Sequence, residues 1–374
     1  MLNLRRIPFN SSEYKVIFVN FLFFFSIGSS IVFMPLYAEE LGASNFMVGL
    51  IRSSYGAAFL ISAFIFGRLS DLHGRLLFIK CGLGLAAGAY LLQIVAPNPI
   101  ILLAVRALVG FCLGMSISAI MAYVHESGSR IGSAAAYGSL GWAVSSIVAA
   151  VFEEYNTLFI ASAVAVVLAL FVSFTLREER QTHIDVAFFP LNVIWANHKI
   201  YLPFLLRHMG ATAIWAIFPL FLADMGASKS WIAIIWGINL GGQFVAMQIV
   251  QRYNPARMFT IGLIISIGVF TVYALASHYL QLVPVQICLA ISWSCLYIGA
   301  LNFLLRKNVE RGTAVGLLYS ANHLGNSIGP FLGGAISQLW GFGAVMYCAA
   351  GLSSAGLLAS RGAGADTRNR VEEV

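Results

Sequence analysis

Apolar stretches follow one another along this chain, separated by short polar connections. Each is about as long as the roughly 20 residues that a helix needs to cross the 30 Å core of a bilayer. The pattern therefore predicts an all-α membrane protein with twelve transmembrane helices. The predicted spans are 15–37, 47–66, 76–96, 99–122, 133–152, 157–176, 200–222, 231–250, 257–277, 281–304, 313–336 and 341–360.

The composition supports lipid as the main solvent. Of the 374 residues, 59% are apolar and 10% are charged, whereas about a quarter are charged in an average globular protein. So few charges cannot cover the surface of a soluble protein of this size. The net charge of +7 is spread over loops, so we expect no nucleic-acid partner. The five cysteines are scattered through apolar stretches without metal-ligand spacing, and we expect no metal and no cofactor.

The basic residues test the number of spans. Eighteen of the 22 Lys and Arg residues fall in the termini and in every second loop, and Lys229 alone falls in the other set of loops. Arg52, Arg106 and Arg207 fall inside spans. Because cytoplasmic loops are enriched in Lys and Arg, this alternation favours twelve spans with both termini in the cytoplasm. We expect a multi-pass protein of the plasma membrane.

Polarity also predicts the domain organisation. The longest polar stretch, 177–199, is predicted as a cytoplasmic linker. It separates an N-terminal six-helix bundle, 1–176, from a C-terminal six-helix bundle, 200–360. Residues 361–374 are predicted as a cytoplasmic tail.

The two predicted bundles repeat one sequence with an offset of 184 residues. Residues 34–44, at the end of the first span, correspond to residues 218–228, at the end of the seventh. The same offset relates Gly141 to Gly325. Such a repeat predicts two parallel halves that rock around a substrate site at the membrane midplane.

Several motifs resemble those of the major facilitator superfamily. Residues 67–75 match the family's cytoplasmic signature G-x-L-x-D-x-x-G-R at every fixed position. Span 11 resembles the glycine-proline motif of the family's drug antiporters, and span 4 resembles its Arg-Gly motif. Residues 310–312 resemble its Glu-Arg-Gly entry to span 11. The span 11 motif consists of Gly316, Gly325, Gly329, Pro330, Gly333 and Gly334, and the span 4 motif of Arg106, Gly110 and Gly114.

The resemblance implies a fold of two six-helix bundles and secondary active transport by alternating access. It further implies a conformational latch on the cytoplasmic side, formed by Gly67, Asp71, Gly74, Arg75 and Arg311. The alternative is a surface loop whose charges only fix the topology. The small residues of spans 4 and 11 are expected to pack helices closely, and Pro330 is expected to bend its helix. Arg106 serves either proton coupling or packing.

The charges inside the spans are functional candidates because each costs at least a few kcal/mol in a bilayer. All fifteen acidic residues fall in loops, termini or helix ends, whereas three arginines are embedded. Arg207 is therefore a candidate to bind an anionic group, with snorkelling or bonding to carbonyls as the alternative. Arg52 either forms a gate with Glu39 and Glu40 or snorkels.

Polar residues at helical spacing give further candidates for substrate binding. Asn239 and Gln243, and likewise Asn322 and Asn326, lie one turn apart; they line a cavity or bond neighbouring helices. His323 is the natural titrating group if protons are coupled, or else a neutral core histidine. Trp142 follows Gly141 as in a Gly-Trp element of the family's sugar permeases.

The sequence thus predicts a monomeric secondary transporter whose substrate is a small organic anion, with protons or a counter-ion as a further partner. The alternatives are proton-coupled multidrug efflux and a non-transporting membrane receptor or scaffold. Enzyme activity is not expected. The G-x-S-x-G pentapeptide at 325–329 lies inside an apolar helix, whereas a hydrolase needs it on a strand-turn-helix elbow.

Overall fold

A computed structural model describes residues 11–127, 131–177, 190–308 and 311–361. Within these ranges the regular secondary structure is entirely helical. The helices are α1 Ser11–Ile31, α2 Met34–Glu40, α3 Asn45–His73, α4 Arg75–Leu92, α5 Pro99–Glu126, α6 Ile131–Phe152, α7 Tyr155–Ser173, α8 Leu191–Ala196, α9 His198–Asp224, α10 Lys229–Val250, α11 Pro255–Leu275, α12 Leu282–Lys307 and α13 Arg311–Ala359, with a 3-10 turn at Tyr279–Gln281.

These helices confirm the predicted all-α fold of twelve spans. Ten of them are long and apolar enough to cross a membrane, and the described part of α6 is a shorter apolar helix. The first span consists of two helices, α1 and α2. The helix breaks just before Pro35, because proline has no N–H to donate to the preceding turn. The last helix, α13, contains two spans joined at Gly341. At Gly341 the backbone φ is 80°, in the left-handed region that favours glycine.

The polar stretch 177–199 contains a short helix that the hydrophobicity pattern does not predict. Six residues form α8, which has no buried residue, and α9 then begins at His198. Residues 178–189 lie outside the described part of the chain, as does most of the predicted tail.

The internal repeat builds the same turn twice. Ser44 caps α3 by accepting from the backbone N–H of Met47, and Ser228 caps α10 by accepting from that of Trp231. The turns before these caps contain glycines with positive φ at two positions that are 184 residues apart. Repeated sequence therefore gives the two halves the same connection between their first two spans.

Small residues bring helices together within each half. A Cβ atom added to Gly110 or Gly114 of α5 would collide with backbone carbonyl oxygens of α3. In the second half, Gly329 and Gly333 of α13 lie equally close to α9. Gly316 differs from the rest of its motif, since a Cβ there would have no neighbour within 4 Å.

The two halves share apolar packing at one end of the bundle, here called the Glu40 end. One core cluster there combines residues of α1 to α3, such as Ile31 and Ile51, with residues of α9 and α10, such as Phe218 and Trp236. Toward the opposite end, here called the basic end, where α3 and α4 meet near Arg75, two further clusters belong to one half each. The halves are therefore closed against each other at the Glu40 end.

Gly110→Ala tests the close packing of α3 and α5. The new methyl group meets the carbonyl oxygen of Tyr55, and overpacking of this kind costs about 1–3 kcal/mol. We expect a lower unfolding temperature for the detergent-purified variant. Gly88→Ala is the matched control, because a Cβ there meets no atom within 4 Å and alanine favours the helix by up to about 1 kcal/mol. Equal unfolding temperatures for the two variants would contradict the packing.

Candidate functional site

The contact between α3 and α13 is the main seam between the halves. Gly49 and Gly334 lie so close that a Cβ on either would collide with the other helix. One turn further, the hydroxyl of Ser53 donates to the carbonyl of Ser327. Beyond it, the ring of His323 stacks on Phe59 at 4.7 Å between centroids. The seam thus runs from tight backbone contact at the Glu40 end to aromatic contact nearer the centre.

Pro330 contributes to this seam through the backbone. Because proline has no N–H, the carbonyl of Asn326 loses its usual partner in the helix. This oxygen lies against Gly56 of α3, where a Cβ would collide with it. The glycine of one half therefore accommodates the irregular backbone of the other.

Polar contacts close the Glu40 end on the other side of the bundle. The Nζ of Lys229, in the second half, lies 3.6 Å from a carboxylate oxygen of Glu40 in the first half. It also lies 4.0 Å from the centre of the Tyr155 ring. Ser230 donates to the carbonyl of Ala150 at 3.1 Å. The ion pair at this end therefore uses Lys229, and the suggested pairing of Glu40 with Arg52 is absent among the described residues.

Arg52 lies on α3 between the two glycines that contact α13. Its Nη1 is buried without a hydrogen-bond partner, and no ion pair of Arg52 occurs in the described residues. Arg52 is close enough to Arg106 and His208 for electrostatic interaction. Since Phe59 follows by two helical turns on the same face, this face of α3 turns toward the centre. The Nη1 end of the Arg52 side chain therefore points into the protein, and this nitrogen does not reach the membrane surface as a snorkelling arginine would.

Arg106 is held inside the first half. Its side chain is 1% exposed, and Nη1 donates to Ser30 at 3.0 Å and to Gln93 at 2.9 Å. The guanidinium lies over the ring of Tyr55, 4.5 Å from its centre. Its Nε has no partner among the described residues. These contacts join α1, α3, α4 and α5.

Arg207, the predicted anion-binding residue, turns away from the seam. It is 2% exposed, and its Nε donates to Ser266 of α11 at 2.8 Å. Ser266 in turn pairs with Ser292 of α12 at 2.6 Å. The guanidinium also lies over the rings of Phe270 and Trp293, at 5.3 and 5.4 Å. The residue is thus packed among the helices of the second half.

Two histidines occupy the region around the seam. His208 follows Arg207 and packs on Trp293 at 5.2 Å and on Phe204 at 5.8 Å. Neither of its ring nitrogens has a hydrogen bond of good geometry in the described residues, and the side chain of Asn326 is the polar group near this imidazole. Gly325 of α13 leaves room for this ring, and His323 lies within electrostatic range.

The predicted amide pairs form as their spacing suggests. Asn326 donates to Asn322 at 3.1 Å, and Gln243 donates to Asn239 at 2.7 Å. Asn239 is 1% exposed and donates to the backbone of α12, so this side chain bonds a neighbouring helix. The other three amides and Trp142 are half-buried; Trp142 packs against Gly28.

The signature loop at the basic end contains an ion-pair network within the first half. Arg75 pairs with Asp71 and donates to Glu126 at 3.0 and 3.2 Å, and it also bonds Ser70 at 2.8 Å. Gly74 has a φ of 95°, and Gly67 packs on Ser118. The side chain of Arg311 lies outside the described part of the chain. The signature motif does not identify Glu126 as a partner of Arg75. The only feature of the sequence that points to it is an acidic residue at a helix end next to a basic loop.

The charges of the described residues separate by depth. The acidic side chains lie at helix ends or in connections, as expected, whereas Arg52, Arg106 and Arg207 lie within helices. No group of His, Cys, Asp and Glu in the described residues is arranged to hold a metal ion. Two helical halves that meet along one seam, with arginines buried inside each half and beside the seam, are the architecture of a membrane transporter.

Comparisons with known proteins agree with this class. The family model of the Major Facilitator Superfamily matches residues 16–309 and 200–369. The chain is 26% identical over 357 residues to the multidrug resistance protein MdtG of Salmonella paratyphi A, covering 86% of this chain and 87% of the relative. It is 24% identical over 374 residues to the quinolone resistance protein NorA of Staphylococcus aureus, covering 93% and 95%.

Solved structures show the same fold. A point mutant of the nucleoside transporter NupG superposes with a TM-score of 0.80 at 16% identity, covering 94% of this chain and 99% of that one. A bacterial homologue of the human lysosomal transporter Spinster, in an inward-facing conformation, gives 0.73 at 14% identity, covering 94% and 96%. The chain belongs to the Major Facilitator Superfamily. It is a multi-pass membrane transporter and not an enzyme, as the sequence predicts.

Lys229→Gln tests the closure of the Glu40 end. Losing the cation removes its attraction to Glu40 and to the Tyr155 ring, so we expect a larger population with this end open. The measurement is the distance between spin labels at positions 98 and 277, which lie in exposed connections of the two halves at this end, in a protein without native cysteines.

Lys80→Gln is the control, because Lys80 contacts the Phe174 ring within the first half alone. Longer distances are expected in Lys229→Gln and unchanged distances in Lys80→Gln. If Lys229→Gln left the distance distribution unchanged, the ion pair would not contribute to closure.

Proposed function

We propose that this transporter carries small organic anions and binds them between the two halves, beside Arg52. The observation that carries the proposal is the excess of positive charge inside the described spans. A buried cationic group needs a compensating partner, and the buried Nη1 of Arg52 has no hydrogen-bond partner among the described residues. An anionic substrate supplies that partner only while it is bound.

The anion is expected to contact Arg52 and not Arg207, the residue that the sequence favours. Arg207 is already surrounded by Ser266 and two aromatic rings in the second half, whereas Arg52 lies next to the seam. The aromatic surroundings of the centre, including Phe59 and Trp142, suit the apolar body of such a substrate. His323 remains the candidate for proton coupling.

We further propose that the basic end faces the cytoplasm, as the distribution of Lys and Arg suggests. The conformation described here is then closed toward the outside, by the cluster and the Lys229 contacts of the Glu40 end. In the outward-open state the halves come together at the basic end instead, where the signature loop lies. The transporter is proposed to work as a monomer.

Multidrug efflux is the second candidate, and the named activities of the relatives MdtG and NorA favour it. Export of lipophilic cations requires a centre that attracts positive charge. The described spans offer no embedded carboxylate for this purpose, whereas three guanidiniums oppose it. For this reason the anion is the first choice and the cationic drug the second.

A thermal-shift screen distinguishes the two candidates. The purified protein is heated with aromatic carboxylates, with their neutral carboxamide analogues, and with lipophilic quaternary ammonium compounds, all in chloride-free buffer. A ligand that binds only the folded state raises the unfolding temperature. We expect carboxylates to raise it and the matched carboxamides to have no effect.

Two arginine variants then locate the anion. Arg52→Gln is expected to abolish the shift, because a hydrogen bond to a charged group contributes about 1.5–3 kcal/mol. Arg207→Gln is expected to lower the unfolding temperature without ligand and to retain the shift. A shift with the quaternary ammonium compounds alone would replace the proposal by drug efflux. A carboxylate shift that survived in Arg52→Gln but not in Arg207→Gln would return the site to the second half.

A further inference from the structure

A cavity at the basic end lies between the short helix α8, the start of α9 and the end of α12. Its wall is formed by residues 195–200 together with Phe303 and Lys307. The cavity measures about 150 Å³, whereas a single water requires roughly 10–15 Å³. It therefore has room for a polyatomic group such as a phosphate. None of the residues in its wall belongs to the seam between α3 and α13.

The wall of this cavity is basic. Lys199 and Lys307 contribute two ammonium groups and His198 an imidazole, and no carboxylate is among the residues of the wall. The Nζ of Lys307 donates to the carbonyl of Ala196 at 2.9 Å and lies 5.6 Å from the centre of the Phe303 ring. Lys199 forms no hydrogen bond or ion pair with a described residue. Its ammonium group is therefore available to an anionic ligand.

Hydrogen bonds hold the wall in place without a ligand. The side chain of Asn197 donates to the carbonyl of Val193 at 2.9 Å and to the side chain of Asn308 at 2.8 Å. The Nδ1 of His198 donates to the carbonyl of Trp195 at 2.6 Å. Together with the bond from the end of α12 to the carbonyl at the end of α8, these contacts fasten α8 to the second half. The cavity is therefore built into the fold.

The cavity lies where two spanning helices leave the membrane. The spanning helix α9 begins at His198, and the spanning helix α12 ends at Lys307. Apolar side chains beside the cavity are exposed. Leu191 and Trp195, one turn apart on α8, are 57% and 71% exposed, and Leu202, one turn after His198, is 46% exposed. Tryptophan is enriched at the boundary between membrane and water, so this surface suits a ligand that has both an anionic headgroup and apolar chains.

We propose that this cavity binds the phosphate of an anionic phospholipid from the membrane leaflet at the basic end. The two lysines attract the negative headgroup, as basic pockets between spanning helices do. The acyl chains contact the exposed side chains of Trp195 and Leu202. A headgroup with a quaternary ammonium binds less well because the lysines repel its cation, and a free phosphate lacks the apolar contacts. The inference is independent of the transported substrate, because the cavity lies outside the seam.

Native mass spectrometry of the purified full-length protein tests the selectivity for the headgroup. Phosphatidylglycerol and phosphatidylcholine with identical acyl chains are titrated separately, and the dissociation constant of the first bound lipid is measured. We expect phosphatidylglycerol to bind more tightly, and Lys199→Gln to weaken its binding about fivefold, the contribution of one lysine near an anionic membrane surface. Arg257→Gln is the matched control, because it removes an exposed charge at the basic end of the same half but outside the wall. Its binding is expected to remain unchanged.

Phosphatidylglycerol with brominated acyl chains provides a second readout, which locates the lipid. Bromine quenches nearby tryptophans, and the share of Trp195 is the difference between the unmodified protein and Trp195→Phe. We expect stronger quenching of Trp195 by brominated phosphatidylglycerol than by equally brominated phosphatidylcholine.

The lipid site is overturned if the two lipids bind equally, if Lys199→Gln binds phosphatidylglycerol as tightly as the unmodified protein, or if Arg257→Gln weakens binding as much as Lys199→Gln. Equal quenching of Trp195 by the two brominated lipids would also overturn it. Displacement of the bound lipid by an equal concentration of inorganic phosphate would assign the cavity to a soluble phosphate and reject the lipid.

Discussion

The cost of holding a guanidinium away from water governs the centre of this protein. Three arginines lie within the described spans, and different contacts offset this free-energy cost for each of them. Arg207 donates through Nε to Ser266 and lies over two aromatic rings, and Arg106 donates to a serine and a glutamine and lies over a tyrosine ring. Arg207 Nη2 and Arg106 Nε lack hydrogen-bond partners among the described residues. Arg52 has no comparable partner among the described residues. Arg52 is therefore the arginine with the fewest compensating contacts, and it lies on α3 at the boundary between the halves, where a ligand would contact both.

The position of Arg52 also connects binding to movement. Its neighbour Ser53 bonds the backbone of α13, and glycines one turn away on either side let the two helices touch. Rocking of the halves must alter this seam, so a group bound at Arg52 lies where the two conformations differ. A ligand shifts such an equilibrium only through different affinities for the two states. The ion pair of Lys229 with Glu40 adds a second contact that must break when this end opens.

The sequence predicts the fold well and the site less well. Apolar runs fix the spans because the bilayer sets their length, and the repeat at Ser44 and Ser228 identifies matching helix caps. Spacing also predicts the amide pair of Asn322 and Asn326. It does not reveal that Arg207 faces α11 and α12, or that Glu126 pairs with Arg75, because helical periodicity defines a face but not the helix packed against it. The ion pair of Lys229 cannot be predicted from helical periodicity either, because its partner Glu40 lies in the other half.

Counterflow in proteoliposomes tests the central claim most directly. Vesicles loaded with an unlabelled aromatic carboxylate are diluted into the same labelled compound, and exchange is followed with and without an excess of its neutral carboxamide or of a lipophilic quaternary ammonium ion. We expect the carboxylate to exchange, neither competitor to inhibit this exchange, and Arg52→Gln to abolish it. Exchange of the quaternary ammonium ion, with none of any carboxylate, would contradict it.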